Sequence, residues 1–234
     1  MVTIMTDVKA GIEYKINMGQ ESFLLNNKQY KLLENILNMG SITDAAESVG
    51  ISYRTALNYI ERIESTLGVK VVSTTKGGKG GGGGTSLTDE GFLILKECKK
   101  INAIMELHKD VNEFETTVAD IDYDKGIMKI KVGNFLINTP LNSNYTVGEK
   151  ILALVSYDNI FIMLEPFLSS IRNILKGKIV EMKLENDIIR VKIDVEGLMF
   201  YSDITLFAEK ELNLTIGKEV YIGFKAMSVA TLKL

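Results

Sequence analysis

The chain of 234 residues is 46% hydrophobic and 24% charged. That is the balance of a globular protein long enough for two ordinary domains, and it excludes a chain disordered throughout. A single cysteine, Cys98, and a single histidine, His108, exclude an internal disulfide, a Cys-cluster zinc site and a His-rich metal site. No apolar run approaches the ~18–20 residues that span a bilayer. Met1 to Gly11 lacks the basic start and apolar core of a signal peptide, so a cytoplasmic protein with no membrane partner is expected.

The net charge of −3 counts mildly against a nucleic-acid binder, but its distribution matters more than its sum. Between residues 52 and 88 stand five basic residues (Arg54, Arg62, Lys70, Lys76, Lys79) against two acidic ones, Glu61 and Glu64. Val8 to Phe23 alternates and suggests one strand or hairpin. From Lys28, the residues Tyr30, Leu33, Ile36 and Leu37 share one face of a helix that Met39-Gly40 ends. Ser41, three residues before Asp44, starts a second helix with Ile42, Ala45, Ala46 and Val49 inward, and Gly50 suits its left-handed cap. Ser52 starts a third, with Ala56, Leu57, Ile60, Ile63 and Leu67 inward and Gly68 closing it. Two short helices joined by Val49-Gly50-Ile51-Ser52 describe a helix-turn-helix. Val69 to Val72 reads as a strand, Gly77 to Gly84 holds seven glycines in eight residues, and Thr85 to Leu87 can return as a second strand. Thr88 caps a long helix from Asp89 on which Ile94, Cys98, Ile101 and Met105 are spaced 4, 3 and 4. That seam suits pairing with a second copy or packing on its own domain, and the spacing leaves both open.

The second half is strand-rich. Val111 to Asp124 is acidic and weakly patterned and reads as a linker, with Asp122 and Asp124 as solvated charges. Beyond it alternation returns, at Ile127 to Val132 and Ile188 to Val195. Thr146-Val147-Gly148-Glu149-Lys150 and Thr215-Ile216-Gly217-Lys218-Glu219 are near copies, 215 − 146 = 69 positions apart, each followed by an apolar strand. Two small β-barrel-like units are expected. The fold class is therefore α+β. Residues 1–112 form the helical domain, 125–166 a first and shorter β unit, and 167–234 a second.

A helix-turn-helix followed by strand, glycine loop and strand is a winged helix-turn-helix pattern, with the third helix reading a major groove. Ser52, Tyr53, Arg54, Thr55, Asn58, Tyr59 and Arg62 are the candidates on its outer face. Arg bonds guanine bidentately and Asn bonds adenine, while Lys76 and Lys79 in the wing would meet phosphate or a minor groove. The glycine run is not a phosphate loop, because Lys79 is followed by Gly80 rather than Ser or Thr. His108 stands in a charged stretch and is expected to be solvated, and Cys98 is expected in the core.

Gly40-Ser41-Ile42-Thr43-Asp44-Ala45-Ala46, Gly50-Ile51-Ser52-Tyr53-Arg54-Thr55-Ala56, Gly77 to Gly84 and Leu87-Thr88-Asp89-Glu90-Gly91 resemble the N-terminal domain of ModE-type molybdate-responsive transcription regulators, within the LysR-like winged helices. Ser169-Ser170-Ile171-Arg172-Asn173, with Gly177 following, resembles the Ser-Ala-Arg-Asn signature of Mop/TOBE oxyanion-binding domains. Asp203-Ile204-Thr205, Leu214 with Gly217, and Phe224-Lys225-Ala226 with Val229 follow in the family's order. The resemblance implies a homodimer that binds a double-stranded operator and takes molybdate or tungstate as effector. Ser170, Thr205 and Asn173 would supply neutral donors, with a turn-bracing role through its own backbone as the alternative for Asn173; Arg172 and Lys225 would supply charge, and Ile171, Arg172 and Ala226 backbone amides. A tetrahedral dianion needs that mixture, since burying charge without partners is costly. In this family such sites lie between barrels of adjacent subunits, so a second copy is expected to complete the walls.

The departures are local. Ile171 replaces the usual Ala, Ala208 stands where a second Ser is common, and Leu57 where the recognition helix often carries Trp. The first β unit has no Ser-x-Arg-Asn of its own. The implied function is a molybdate- or tungstate-sensing regulator, not an enzyme, repressing molybdate uptake genes when the anion is bound. The alternative is a Mop-type oxyanion storage protein whose winged helix serves dimerisation alone.

Overall fold

The computed structural model describes residues 11–75 and 84–234 and divides into two compact units, Met1–Ile104 and Met105–Leu234. Among the described residues no helix is long and apolar enough to cross a membrane.

The first unit opens with a hairpin of β1 (Glu13–Met18) and β2 (Glu21–Asn26), the alternation expected there. Three helices follow: α1 (Asn27–Met39), α2 (Ile42–Val49) and α3 (Tyr53–Leu67). Their ends are set by local chemistry. Asn26 and Gln29 form a reciprocal capping box on α1, and the Ser41 and Ser52 hydroxyls accept from Asp44 N and Thr55 N. Gly40, Gly50 and Gly68 take the left-handed conformation that closes each helix, which costs glycine no Cβ clash. Leu32, Leu33, Ile36, Ala45, Ala56 and Ile63 are fully buried in the centre.

The antiparallel wing strands β3 (Val72–Thr75) and β4 (Gly84–Leu87) follow. Lys76 and Lys79 lie outside the described residues. The Thr88 hydroxyl accepts from Gly91 N at 3.1 Å and starts α4 (Asp89–Leu107). A Cβ on Gly91 would stand 2.1 Å from the Val71 carbonyl oxygen, so only glycine lets α4 approach the wing base. The α4 seam divides. Ile94 and Cys98 are buried in their own unit, and burial pushes the Cys98 thiol up to about 11. Ile101 and Met105 are exposed, as are Ile104 and Leu107 beside them.

The second unit holds two five-stranded antiparallel sheets around one apolar core. Its first five strands are β5 (Val111–Asp122), β6 (Ile127–Val132), β7 (Phe135–Pro140), β8 (Lys150–Ser156) and β9 (Phe161–Met163). Then come β10 (Asn173–Glu185), β11 (Ile188–Val195), β12 (Leu198–Thr205), the short helix α5 (Leu206–Glu211), β13 (Glu219–Phe224) and β14 (Val229–Lys233). The sheet orders are β14-β8-β5-β6-β7 and β12-β11-β10-β13-β9.

Two expectations from sequence need correction. Val111 to Asp124 is no linker, because β5 occupies most of it. Its inward positions include Asn112 and Thr116 while Glu113 and Glu115 face solvent, so a polar inner face hid the strand. Nor do the β units separate near residue 166. β9 pairs with β13 of the second sheet, and β14 returns to pair with β8 of the first. Each sheet takes one strand from the other's stretch of sequence.

Candidate functional site

On α3 the seven expected DNA-facing residues divide by what their side chains already do. The Ser52 and Thr55 hydroxyls are engaged with each other at 2.8 Å. Tyr59 packs against the core, and the Arg62 guanidinium lies over the Phe23 ring at 6.0 Å. Tyr53, Arg54 and Asn58 are exposed, and Arg54 and Asn58 stand one turn apart on the same face.

Glu64 was not among the expected residues, although a carboxylate in the apolar stripe from Ile60 to Leu67 was a visible signal. It is buried, accepts from Val71 N at 2.9 Å and Val72 N at 3.2 Å, and pairs with the Lys70 ammonium at 2.5 Å. Burial alone would raise its pKa, but the bonds from Lys70, Val71 and Val72 prevail and hold the carboxyl below its usual range. With the Thr88 hydroxyl donating to Lys70 O at 2.6 Å, Glu64 fixes the wing base to α3.

In the β unit, Ser170, Ile171, Arg172, Asn173, Lys225 and Ala226 come together. Asn173 pairs with Phe224 at the start of β10, which sets Arg172 beside Lys225. The Arg172 Nη1 donates to Ser169 O at 2.7 Å and Ile171 O at 3.1 Å, so the guanidinium folds over its own turn. Neither Arg172 nor Lys225 has a carboxylate within ion-pair reach among the described residues, and both are exposed. Ser170 is exposed, and the neighbouring Ser169 hydroxyl accepts from Ile171 N at 3.2 Å. The result is an exposed turn that carries two cations with no carboxylate partner among the described residues.

Asn173 braces this turn rather than lining it. It is buried, its Oδ1 accepts from Asn138 N at 2.7 Å, and its Nδ2 donates to Asn138 O at 2.9 Å. The Asn138 amide donates in turn to Arg172 O at 3.1 Å. Asn138, on β7 of the other sheet, is a positioning residue that sequence reading missed, because nothing local links it to a turn 34 residues on.

Thr205 is not brought to this turn. It pairs with Ile188, which on its other side pairs with Glu185 at the end of β10. Along β10 that row lies twelve positions (185 − 173) from Asn173, about 40 Å of strand path at ~3.3 Å per residue. The Thr205 hydroxyl accepts from Ala208 N at 3.1 Å as the cap of α5, which leaves its O–H free to donate. It opens instead into a cleft with Asp110, Tyr157, Asp158, Arg190 and Asp203. His108 is exposed, as expected, and its Nδ1 stands 3.0 Å from Asp158 Oδ1.

The comparisons agree with both halves. Residues 27–92 match the bacterial regulatory helix-turn-helix family of LysR type, and residues 169–231 match the TOBE domain. The transcriptional regulator ModE of Haemophilus influenzae is 24% identical over 209 residues, covering 88% of this chain and 68% of that protein. A probable molybdenum-pterin-binding protein of the same organism is 46% identical over 61 residues, 26% of this chain and 88% of that protein. The molybdenum import ATP-binding protein ModC of that organism is 36% identical over 84 residues, 36% of this chain and 24% of that protein. This chain spans about a fifth to a third of the length of the ModC proteins it matches.

A LysR-type winged helix carried in one chain with a TOBE β unit defines the class. Along 88% of its length the chain is similar to a transcriptional regulator of the ModE type.

Proposed function

We propose that this chain is a molybdate- or tungstate-sensing DNA-binding transcription regulator that works as a homodimer. One observation carries the reading: a winged helix with exposed Arg54 and Asn58 shares a chain with a turn whose two cations, Arg172 and Lys225, have no carboxylate partner among the described residues. Two cations match a tetrahedral dianion in charge, and the Ser170 hydroxyl with the turn amides supplies directional donors. Thr205 lies at the far end of its own sheet, so its hydroxyl reaches such an anion only from a second copy. The exposed Ile101, Ile104, Met105 and Leu107 of α4 are the apolar surface on which two copies would pair. The names of the relatives, which speak of molybdenum and of transcriptional regulation, point the same way.

An anion held between copies orders their interface, and through it the spacing of the paired recognition helices against two operator half-sites. Repression of uptake genes in the bound state is the sign proposed. The test is calorimetric titration of the full chain with molybdate, tungstate and sulfate. Near-stoichiometric binding of the first two with weak sulfate binding supports the reading, and no heat from any of them refutes it. A Mop-type storage role is the outcome if anions bind but no duplex DNA does.

A further inference from the structure

The two sheets of the β unit repeat one another closely enough to be compared position by position. The Asn173 side chain exchanges two bonds with the Asn138 backbone, at 2.7 and 2.9 Å. The Asn112 side chain does the same with Tyr201, also at 2.7 and 2.9 Å. Gly148 N donates to Val118 O at 2.8 Å, and Gly217 N to Ile179 O at 2.8 Å. These pairs fix the correspondence as 173 − 112 = 61 positions for β10 and β5, 201 − 138 = 63 for β12 and β7, and 217 − 148 = 69 beyond α5.

Carried across, Ser170, Ile171 and Arg172 correspond to Lys109, Asp110 and Val111, and Lys225 and Ala226 to Ser156 and Tyr157. Asp110 and Tyr157 line the cleft into which Thr205 opens. Neither cation of the Arg172 turn has a counterpart there. Arg190 of β11 occupies the cleft instead. Its Nε and Nη2 donate to the two carboxylate oxygens of Asp203 at 2.9 and 2.8 Å. Nη2 also donates to Asp110 Oδ2 at 2.5 Å, Nη1 stands 3.2 Å from Glu185 Oε2, and the guanidinium lies 4.8 Å from the Tyr157 ring centroid. Three carboxylates around one guanidinium leave no charge for an external anion.

We infer that Arg190 is the positioning residue that couples the Thr205 wall of the oxyanion site to the chain at the end of α4. Asp203, which it grips with both nitrogens, stands two residues before Thr205, and Asp110 stands three residues after Leu107 ends α4. The fork matters: a guanidinium holds two carboxylates at once in fixed geometry, whereas an ammonium is a point charge on a flexible stem. Of the other ties at this junction, His108 with Asp158 reaches only the turn after β8, and Asn112 with Tyr201 reaches β12 four residues before Thr205, so Arg190 through Asp203 is the tie that comes nearest to Thr205. An anion that draws on Thr205 therefore acts on Asp110 through Arg190. The inference rests on the proposed function, since Thr205 matters only if it faces an anion.

The test uses Arg190→Met and Arg190→Lys in the full chain, with three readouts. These are molybdate affinity, the molybdate-dependent change in affinity for a duplex selected by the wild type from random sequence, and amide hydrogen exchange over residues 106–111 without anion. For Arg190→Met, molybdate affinity is expected within threefold of wild type, the response of DNA affinity reduced at least tenfold, and exchange over 106–111 at least tenfold faster. Arg190→Lys should fall between. A merely structural role would lower the melting temperature without separating the first two readouts. Arg190→Met with an intact DNA response, or with anion binding lost alongside it, overturns the inference. If Arg190→Met does not fold, Asp110→Asn carries the same expectations. Should the wild type bind no molybdate, the proposed function fails on its own. Unchanged exchange over 106–111 in either variant then overturns the tie through Arg190 as well.

Discussion

Complementation between two defective copies tests the shared cradle most directly. Arg172→Met removes one cation. A charge-assisted bond contributes roughly 1.5–3 kcal/mol, so affinity should fall roughly 10- to 150-fold. Thr205→Asp acts from the other wall. Asp caps helices as well as Thr does, so the bond to Ala208 N and the start of α5 survive. Its carboxylate, set at ~4 Å from the anion in an effective dielectric near 20, costs roughly 4 kcal/mol per unit of anion charge. Each variant alone should be silent in a titration run near the wild-type dissociation constant. Co-refolded in equal amounts, half of the dimers are mixed, and each mixed dimer joins the intact Arg172 turn of one copy to the intact Thr205 of the other. One of its two cradles is then whole, so about a quarter of the wild-type sites return at wild-type affinity. Calorimetric stoichiometry reads this directly. If the mixture stays silent, or if Thr205→Asp alone binds like wild type, the two-copy cradle is refuted.

Three further expectations follow from the first unit. Arg54→Ala with Asn58→Ala should abolish sequence-specific binding, at roughly 1–3 kcal/mol per base contact, and leave molybdate affinity unchanged by calorimetry. Glu64→Gln should loosen the wing base by roughly 1–3 kcal/mol at neutral pH. Because the folded pKa lies below the ordinary 4.5, the stabilisation is present above that value and is lost as pH falls through the folded value. Urea melts of the two proteins should therefore differ at pH 7 and converge on acidification, and a difference that persists in acid would contradict the ionised clamp. Gly91→Ala should destabilise the unit by about 1–3 kcal/mol or more through overpacking against Val71, and an unchanged melting temperature would show that α4 can shift away.

The helical half was legible because its signals are local. Ser41, Gly50, Ser52 and Gly68 each act within a few residues, and the structure uses them as caps in the expected places. The β half was legible only where motif and register coincide, as at Arg172, Asn173 and Lys225. What the sequence concealed is non-local. β5 presents Asn112 and Thr116 inward because Asn112 bonds Tyr201, 89 positions away, and no periodicity announces a polar residue whose partner lies on another sheet. Asn138 stayed hidden for the same reason, and Arg190 because its partner Asp110 lies 80 positions away. Grouping Thr205 with Arg172 followed the order of motifs, whereas the register of β10, β11 and β12 puts them at opposite ends of one sheet.

The exchanged strands bear on whether the stretch 167–234 can stand alone. Cut there, it loses β9, the partner of β13's free edge, and its own β14 loses β8. Two bare edges in one small unit favour pairing with another chain. The repeat supplies a matching partner. Val229 pairs with Val155 in the intact chain. The 69-position shift carries Val155 to Phe224, so β14 of one copy can lie on β13 of another with Val229 opposite Phe224. That puts Ala230 opposite Gly223, where Phe161 stands in the intact chain. The fragment should therefore form a strand-exchanged oligomer, while residues 111–234 should fold without exchange. Light scattering after size-exclusion chromatography separates the two. A compact monomer of 167–234 with dispersed amide resonances would show that the second sheet closes without a borrowed strand. The interleaving would then be an incidental feature of the intact chain rather than a condition of its fold.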